Sequence, residues 1–317
     1  MRADVLSRLR CPVCADPLAA TGSSLRCSRG HSFDVARQGY VNLLTGRSPH
    51  TGDTAEMVSA REDFLAAGHY APIADLLAAA AAPELTGRPR PARPPASTTG
   101  HDGSSATGEG HDSSSATGEG HGSGRSYPDL VVDAGAGTGR YLAAVLEAAP
   151  DAVGLALDVS KPALRRAARA HRRASAALAD TWRGLPVADG AARLVLNVFA
   201  PRNGAEFARV LCPDGLLLVV TPAADHLGAL VDRLGLLRVD PDKADRVADS
   251  LAGRFEPVRR DLHRYDLRLD RPAVRTLVGM GPSAWHTEPA RLAAALERLP
   301  EPVPVTVSVE LAGYRPR

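Results

Sequence analysis

Beyond residue 129 the chain alternates short, almost wholly apolar runs with longer stretches whose apolar residues recur every three or four positions. The runs at 130–133, 153–158, 176–179 and 194–199 read as strands, because such runs bounded by Gly, Asp or Pro suit a strand buried on both faces. Helices are expected from the glycines after 133 to about residue 149, and over 161–173. The run 216–221 follows a Pro213-Asp-Gly turn and reads as a further strand, helices are expected within 225–251, and the alternation over 303–311 predicts a last strand. Strands and helices in this succession form an open, mainly parallel α/β sheet with helices on both faces, whose ligand site lies beyond the carboxyl ends of the central strands.

The first 126 residues follow another pattern. Residues 2–34 are short, turn-rich and Cys-rich, and bury too little apolar surface to fold without a staple. Asp53-Thr-Ala-Glu56 reads as a capping box, with the Asp53 side chain as cap, opening a helix that carries Met57, Phe64 and Leu65; a second helix is expected over 72–82. From residue 87 to 126 the composition collapses to Gly, Ser, Thr, Ala, Pro and His, with a decapeptide, HDGSSATGEG at His101, returning as HDSSSATGEG at His111. A tract without core-forming residues reads as a disordered, low-complexity linker, and the histidines at 101, 111 and 121 as parts of a solvated spacer. The expected organisation is therefore a zinc-binding module at 1–35, a helical connector at 36–86, the linker at 87–126, and an α/β domain at 127–317.

Composition adds exclusions. With 44% hydrophobic and 23% charged residues the chain has the balance of a protein with a sizeable core, which rules out wholesale disorder. Lys+Arg 38 against Asp+Glu 36 leaves a net charge of +2, so any surface for a polyanion must come from local clustering. No apolar run approaches the eighteen or so residues that span a bilayer, and MRADVLSRLRCP is charged where a signal peptide is apolar, so no membrane partner and a cytoplasmic location are expected.

In a reducing compartment four cysteines do not suggest a disulfide framework. Three of them form Cys11-x2-Cys14-x12-Cys27, and His31 follows, while Cys212 stands alone. Close pairs separated by a loop let Cys11, Cys14, Cys27 and His31 converge tetrahedrally on one zinc ion, and with four protein ligands the metal is structural, one per chain.

Val131-Val-Asp-Ala-Gly135-Ala-Gly137-Thr-Gly139 lies where a strand hands over to a helix. A dinucleotide fingerprint needs Gly where Arg140 stands, so the spacing looks instead like the first motif of S-adenosylmethionine methyltransferases. In that reading Gly135, Gly137, Thr138 and Gly139 pack on the methionine part, Asp133 lies near its amino group, and Asp158, ending the next strand, accepts the ribose hydroxyls. Asp180 either accepts from the adenine amino group or is a solvated loop carboxylate. Asn197, in Asn197-Val-Phe-Ala-Pro201, either positions an acceptor base or caps the backbone at a strand end. Arginines cluster at 165, 166, 169, 172 and 173, again between 254 and 275, and in the zinc module at 2, 8, 10, 26 and 29; these are phosphate contacts or solvated faces.

Taken together, the chain outside the linker resembles the bacterial 23S rRNA guanine-N(1)-methyltransferases, the RlmA family. The resemblance rests on His31-Ser-Phe-Asp, Gly39-Tyr-Val-Asn-Leu-Leu44, Gly52-Asp-Thr-Ala-Glu-Met57, Ala67-Gly-His-Tyr70, Leu157-Asp-Val-Ser-Lys161, Phe199-Ala-Pro201 and Thr221-Pro222, and Gly279-Met-Gly-Pro-Ser283 is similar to the Gram-positive branch that includes tylosin and mycinamicin resistance methylases. It implies a Rossmann-like class I methyltransferase sheet with a small zinc module. It further implies methyl transfer from S-adenosylmethionine to N1 of a guanine in a 23S rRNA hairpin loop lining the peptide exit tunnel, and a part in macrolide resistance. Family cofactor contacts fall on Tyr70, Gly137, Thr138 and His226, and since Tyr70 precedes the linker, the zinc-side helices must fold back over the sheet. The sequence assigns no general base, leaves a homodimer open, and keeps two other readings alive: a methyltransferase of small molecules, and a non-catalytic RNA-binding assembly factor.

Overall fold

Fully buried apolar residues fix the centre of the molecule. In the computed structural model, which describes residues 1–46, 52–86, 128–240, 242–285 and 288–317, strand β5 (Leu130–Ala134) is buried at every position. The N-terminal part precedes it: helix α1 (Ala3–Leu6), a three-stranded ribbon of β1 (Ala19–Thr21), β2 (Ser24–Arg26) and β3 (Ser32–Asp34), strand β4 (Tyr40–Asn42), and helices α2 (Ala55–Ala66) and α3 (Ala71–Leu85). After β5 come α4 (Arg140–Ala148), β6 (Val153–Asp158), α5 (Lys161–Ala170), β7 (Ala174–Leu178), β8 (Ala192–Val198), α6 (Gly204–Val210) and β9 (Leu211–Pro222). The chain closes with α7 (Gly228–Leu234), α8 (Lys243–Leu251), β10 (Phe255–Leu269), α9 (Arg271–Gly279), α10 (Pro289–Leu296) and β11 (Val303–Pro316).

Eight strands form one sheet in the order β10-β11-β9-β8-β5-β6-β7-β4. β4 to β9 run parallel, while β11 is antiparallel to both neighbours. The strand order reverses at β5, with β6 and β7 added on one side and β8 and β9 on the other, which opens a crevice at the carboxyl ends of β5 and β8, the place where such sheets bind ligands. This is the Rossmann-like class I methyltransferase sheet, extended at one edge by β4. Met1–Gly87 and Pro128–Arg317 together make one compact unit, and the repeat tract lies outside the described residues.

Two apolar layers cover the sheet. Ile73 and Leu77 of α3, Leu142, Val145 and Leu146 of α4, and Leu164 of α5 belong to one. Phe207 and Val210 of α6 and Leu251 of α8 belong to the other, and so do Val5, Leu9 and Leu25 of the zinc module. That module is thus part of the sheet's cover: Leu9 bridges to Val187, and the amide of Arg10 donates to the Pro186 carbonyl at 3.0 Å. Among the described residues no single helix is long and apolar enough to cross a membrane; α2 and α3 meet at 78° and bury their apolar residues in the protein.

Several expectations need correction. Helix α2 is capped by Thr54, whose hydroxyl accepts from the Met57 amide at 3.3 Å, because the Asp53 carboxylate is drawn instead to Arg61 at 2.7 Å. Residues 36–86 supply the edge strand β4 besides helices. The helix expected over 161–173 ends at Ala170, where His171 turns extended, buries its ring and pairs with Glu147 at 3.0 Å. Arg173 is therefore no part of a basic helix face: its guanidinium donates to the carbonyls of Leu146, Ala149 and Ala152, closing the end of α4. The arginines between 254 and 275 mostly lie on β10, a strand hidden from the sequence reading by its charges, in which Tyr265, Leu267 and Leu269 alternate with exposed Arg264, Asp266 and Arg268. Acids hold several of them: Arg259 pairs with Asp261, Arg260 with Asp245 and Glu310, Arg264 with Asp225, and Arg271 with Glu297.

Arg173→Ala leaves three carbonyls at the end of α4 without their charged donor. The expected result is a loss of about 2 kcal/mol in unfolding free energy, read by urea denaturation, with zinc content unchanged.

Candidate active site and metal centre

At the carboxyl end of β5 the backbone passes through three left-handed glycines, Gly135, Gly137 and Gly139, at φ of 86°, 53° and 78°. Space is restricted as well as conformation: a Cβ on Gly135 would stand 2.4 Å from that of Ala200, one on Gly139 would stand 3.0 Å from the Ala167 Cα, and one on Gly137 would stand 3.0 Å from the Arg61 guanidinium. The amides of Gly135 and Ala136 donate to the Leu157 carbonyl at 2.8 and 3.0 Å, folding the loop against the end of β6. There Asp158 accepts from the Gly137 amide on one oxygen and from the Ser160 amide on the other, each at 2.8 Å. Burial raises the Asp158 carboxyl above its usual range, against the pull of the two amides.

Asp133 lies beneath the loop, 1% exposed, and neither oxygen has a hydrogen-bond partner. Burial pushes its carboxyl up to about 8, the nearby charge of Asp158 adds to the rise, and the Leu142 amide pulls weakly the other way. A buried carboxyl whose one amide neighbour, Leu142, falls short of hydrogen-bond geometry is costly, so a cationic or hydrogen-bonding group brought into the cleft would stabilise its ionised form.

The loop forms one wall of a cleft of about 550 Å³, within the range of cofactor-sized pockets. Gly135, Gly137 and Thr138 line it with Arg61, Tyr70, Phe199 and His226. Tyr70, Phe199 and His226 set their ring centroids 6.1 to 6.3 Å apart, a nearly equilateral aromatic corner. His226 approaches the Ser308 carbonyl with Nδ1 at 2.9 Å and the Tyr70 hydroxyl with Nε2 at 3.3 Å. With the hydrogen on Nδ1, Nε2 accepts from Tyr70, whose phenol burial pushes well above its ordinary value and so keeps protonated. Phe199 is the outward member, 39% exposed against 5% for Tyr70; it has a positive φ of 52°, and its amide donates a hydrogen bond to the Val220 carbonyl at 3.0 Å.

The residues singled out in the sequence separate into groups. Tyr70, Gly135, Gly137, Thr138 and His226 share the cleft; Asp133 and Gly139 are buried behind its loop wall, and Asp158, half-buried at the end of β6, is outside the lining. Asp180 lines a different cavity, of about 760 Å³, beside the zinc module, and accepts from the Trp182 amide at 3.0 Å. Asn197 is fully buried, with its amide nitrogen donating to the carbonyls of Ala134 at 3.1 Å and Pro201 at 2.8 Å, so it shapes the strand end and does not face the cleft. Sequence reasoning missed Arg61, Tyr141 and the wall formed by Leu277, Val278 and Met280. Only the last carried a signal, the Gly279-Met-Gly-Pro-Ser283 motif; nothing local marks Arg61.

The four metal-ligating side chains do converge. Ligand atoms of Cys11, Cys14, Cys27 and His31 all lie within 4.8 Å of one another. The Sγ atoms of Cys14 and Cys27 are 3.7 Å apart, and His31 Nδ1 is 3.6 Å from Cys11 Sγ and 3.3 Å from Cys27 Sγ. Tetrahedral zinc bonds of about 2.3 Å to sulfur and about 2.0 Å to nitrogen call for edges of about 3.8 and about 3.5 Å, so the donor set fits. Cys212 is not part of this cluster and lies against Arg193 at 3.8 Å.

Elemental analysis of the purified protein should give about one zinc per chain. A Cys11→Ser, Cys14→Ser double variant should lose it, and Cys212→Ser should keep it.

Similarity to known proteins accords with both sites. Residues 9–48 match the zinc-ribbon family described as RlmA, N-terminal. Over its whole length the chain is 62% identical to a protein of Micromonospora griseorubida provisionally designated a 23S rRNA (guanine-N(1)-)-methyltransferase, all of which is covered. It is 48% identical to the 23S rRNA (guanine(748)-N(1))-methyltransferase of Streptomyces fradiae, covering 100% of this chain and 99% of that protein. A Bacillus subtilis strain 168 protein of the same provisional designation is 30% identical over 96% of each chain. An RlmA-type zinc ribbon laid on a methyltransferase sheet, with full-length identity at these levels, means that the chain belongs to the 23S rRNA (guanine-N(1)-)-methyltransferases.

Proposed function

We propose that this chain, acting in the cytoplasm, transfers the methyl group of S-adenosylmethionine to N1 of a guanine in a 23S rRNA hairpin loop lining the peptide exit tunnel, a modification that protects against macrolides. The observation that carries the reading is the cleft itself: a glycine wall backed by unpaired Asp133 on one side, and an aromatic corner ending in exposed Phe199 on the other. The residues fit the donor. Gly135, Gly137 and Thr138 allow its methionine part close to the backbone, Asp133 and Tyr70 offer polar partners near the amino group, and Asp158 has lone pairs left for the ribose hydroxyls. When bound, the sulfonium supplies a methyl group that is already activated, so the protein's work is alignment and exclusion of water.

Acceptor binding requires a loop base to leave its stack, and Phe199, projecting beside Tyr70 and His226, offers a face on which it restacks. The N1 proton must depart as the methyl arrives; Asn197, an amide with both its donors engaged, does not take it. Exposed Arg26 and Arg29 of the zinc ribbon, with Arg165, Arg169 and Arg172 of α5 and the turn after it, supply phosphate contacts. In this reading residues 87–126 are a spacer that takes no part in catalysis.

Asp133 makes the placement of the donor testable by proton counting. With its carboxyl raised to about 8, it is mostly protonated at pH 7 in the free protein. An incoming ammonium favours the ionised form, so binding should release about one proton per site, less as pH rises past 8. Titration calorimetry at pH 7 in buffers of different ionisation enthalpy should show this release, and Asp133→Asn should abolish it. A buffer-independent heat in the wild type would contradict the placement.

The reaction is tested by giving the protein labelled S-adenosylmethionine with unmodified 23S rRNA, then locating the product by primer extension, which an N1-methyl blocks, and by nucleoside mass spectrometry. One N1-methylguanine is expected, with a yield at subsaturating RNA that falls steeply with salt. Label on a small metabolite, or at another guanine position, would overturn the assignment.

A further inference from the structure

We propose that Arg61 binds the α-carboxylate of S-adenosylmethionine, so that the amino-acid end of the donor is read by a residue of α2 and not only by the sheet. This rests on placing the donor in the glycine-walled cleft. The donor carries a sulfonium, an ammonium and a carboxylate, and its single anionic group needs a cation if it is to be desolvated without a large penalty. Four arginines line the cleft: 61, 140, 238 and 246. Three of them already pair with an acid, Arg61 with Asp53, Arg238 with Asp232 and Arg246 with Asp240, and Arg140 is exposed at the head of α4, so position relative to the glycine wall, not pairing, distinguishes them. Arg61 alone lies directly over the glycine wall: one of its terminal nitrogens stands 3.0 Å from the point where a Gly137 side chain would begin.

Its surroundings hold it in place before any ligand arrives. One terminal nitrogen contacts the Asp53 carboxylate at 2.7 Å and the other donates to the Met280 carbonyl at 2.9 Å. Asp53 is itself fixed to the sheet, because its backbone carbonyl accepts from the Ser160 hydroxyl at 2.7 Å, and Gly52 packs so closely on Ser160 that a Cβ would stand 2.8 Å from its amide nitrogen. A guanidinium has five N–H groups, and these two contacts leave others for a carboxylate in the cleft. The planar fork suits that task better than an ammonium, and a side chain already held by two partners loses little freedom when a third joins.

The test compares S-adenosylmethionine with its decarboxylated analogue, which keeps the sulfonium and the amino group. Calorimetry on the full chain should show wild type binding the parent compound about ten- to a hundredfold more tightly, the effect of a charge-assisted pair. Arg61→Ala should lose that preference, weakening the parent compound and leaving the analogue nearly unaffected, and Arg61→Lys should restore part of it. A variant that weakens both compounds equally would show that Arg61 only braces Asp53 and Met280, and would overturn the proposal. Equal binding of the two compounds by wild type would do so even if Arg61→Ala failed to fold. Absence of any binding by wild type would instead bring down the placement of the donor, and this inference with it.

Discussion

Asp158 accepts two backbone amides, Gly137 on one oxygen and Ser160 on the other, and much of the molecule is organised around that pair of hydrogen bonds. The first draws the loop after β5 against the end of β6. The second sets the start of α5, where the Ser160 hydroxyl accepts from the Ala163 amide and donates to the Asp53 carbonyl. From Asp53 the connection passes to Arg61 and from Arg61 to the Met280 carbonyl. Four segments far apart in sequence, around residues 53–61, 137, 158–160 and 280, thereby meet at one strand end. A carboxylate serves here because it accepts several hydrogen bonds at once, and each is strengthened by its charge.

The zinc ribbon depends on the same sheet in another way. Its ligands close a small knot, but Val5, Leu9 and Leu25 are buried in the layer that also holds Phe207 and Leu251. Metal and apolar burial therefore divide the work: coordination fixes a segment too small to fold by itself, and the sheet removes its remaining apolar surface from water. The opposite edge is treated differently. β10 presents fifteen residues along an unpaired margin, and its arginines, joined to Asp225, Asp245, Asp261 and Glu310, keep that margin hydrated and unsuited to pairing with another strand.

How much of this is visible in the sequence depends on whether a signal is local. Cys11, Cys14, Cys27 and His31 are spaced as a ligand set, and β5 and β6 announce themselves as unbroken apolar runs ending in Asp133 and Asp158. β10 does not, because charges occupy its exposed positions and the alternation of Tyr265, Leu267 and Leu269 is faint among arginines. β4 is three residues long and is a strand only because β7 is there to pair with it. Asp180 and Asn197 stand where strand ends suggest ligand contacts, yet the Trp182 amide and the carbonyls of Ala134 and Pro201 engage them. Arg61 shows the same limit from the other side: it faces Gly137 through the fold, across a separation that no motif spans.

The pairing of β4 with β7 also sets an order of assembly. Residues 40–42 must find residues 176–178, a contact that cannot form until well over a hundred further residues have left the ribosome. All four zinc ligands, by contrast, lie within the first 31 residues and leave the ribosome long before residues 176–178 do. Coordination is thus an early, local event and sheet closure a late, distant one, and contacts of such long range are slow to form. During synthesis the ribbon is a metal-clasped knot with Val5 and Leu9 still facing water, waiting for the strands that will cover them.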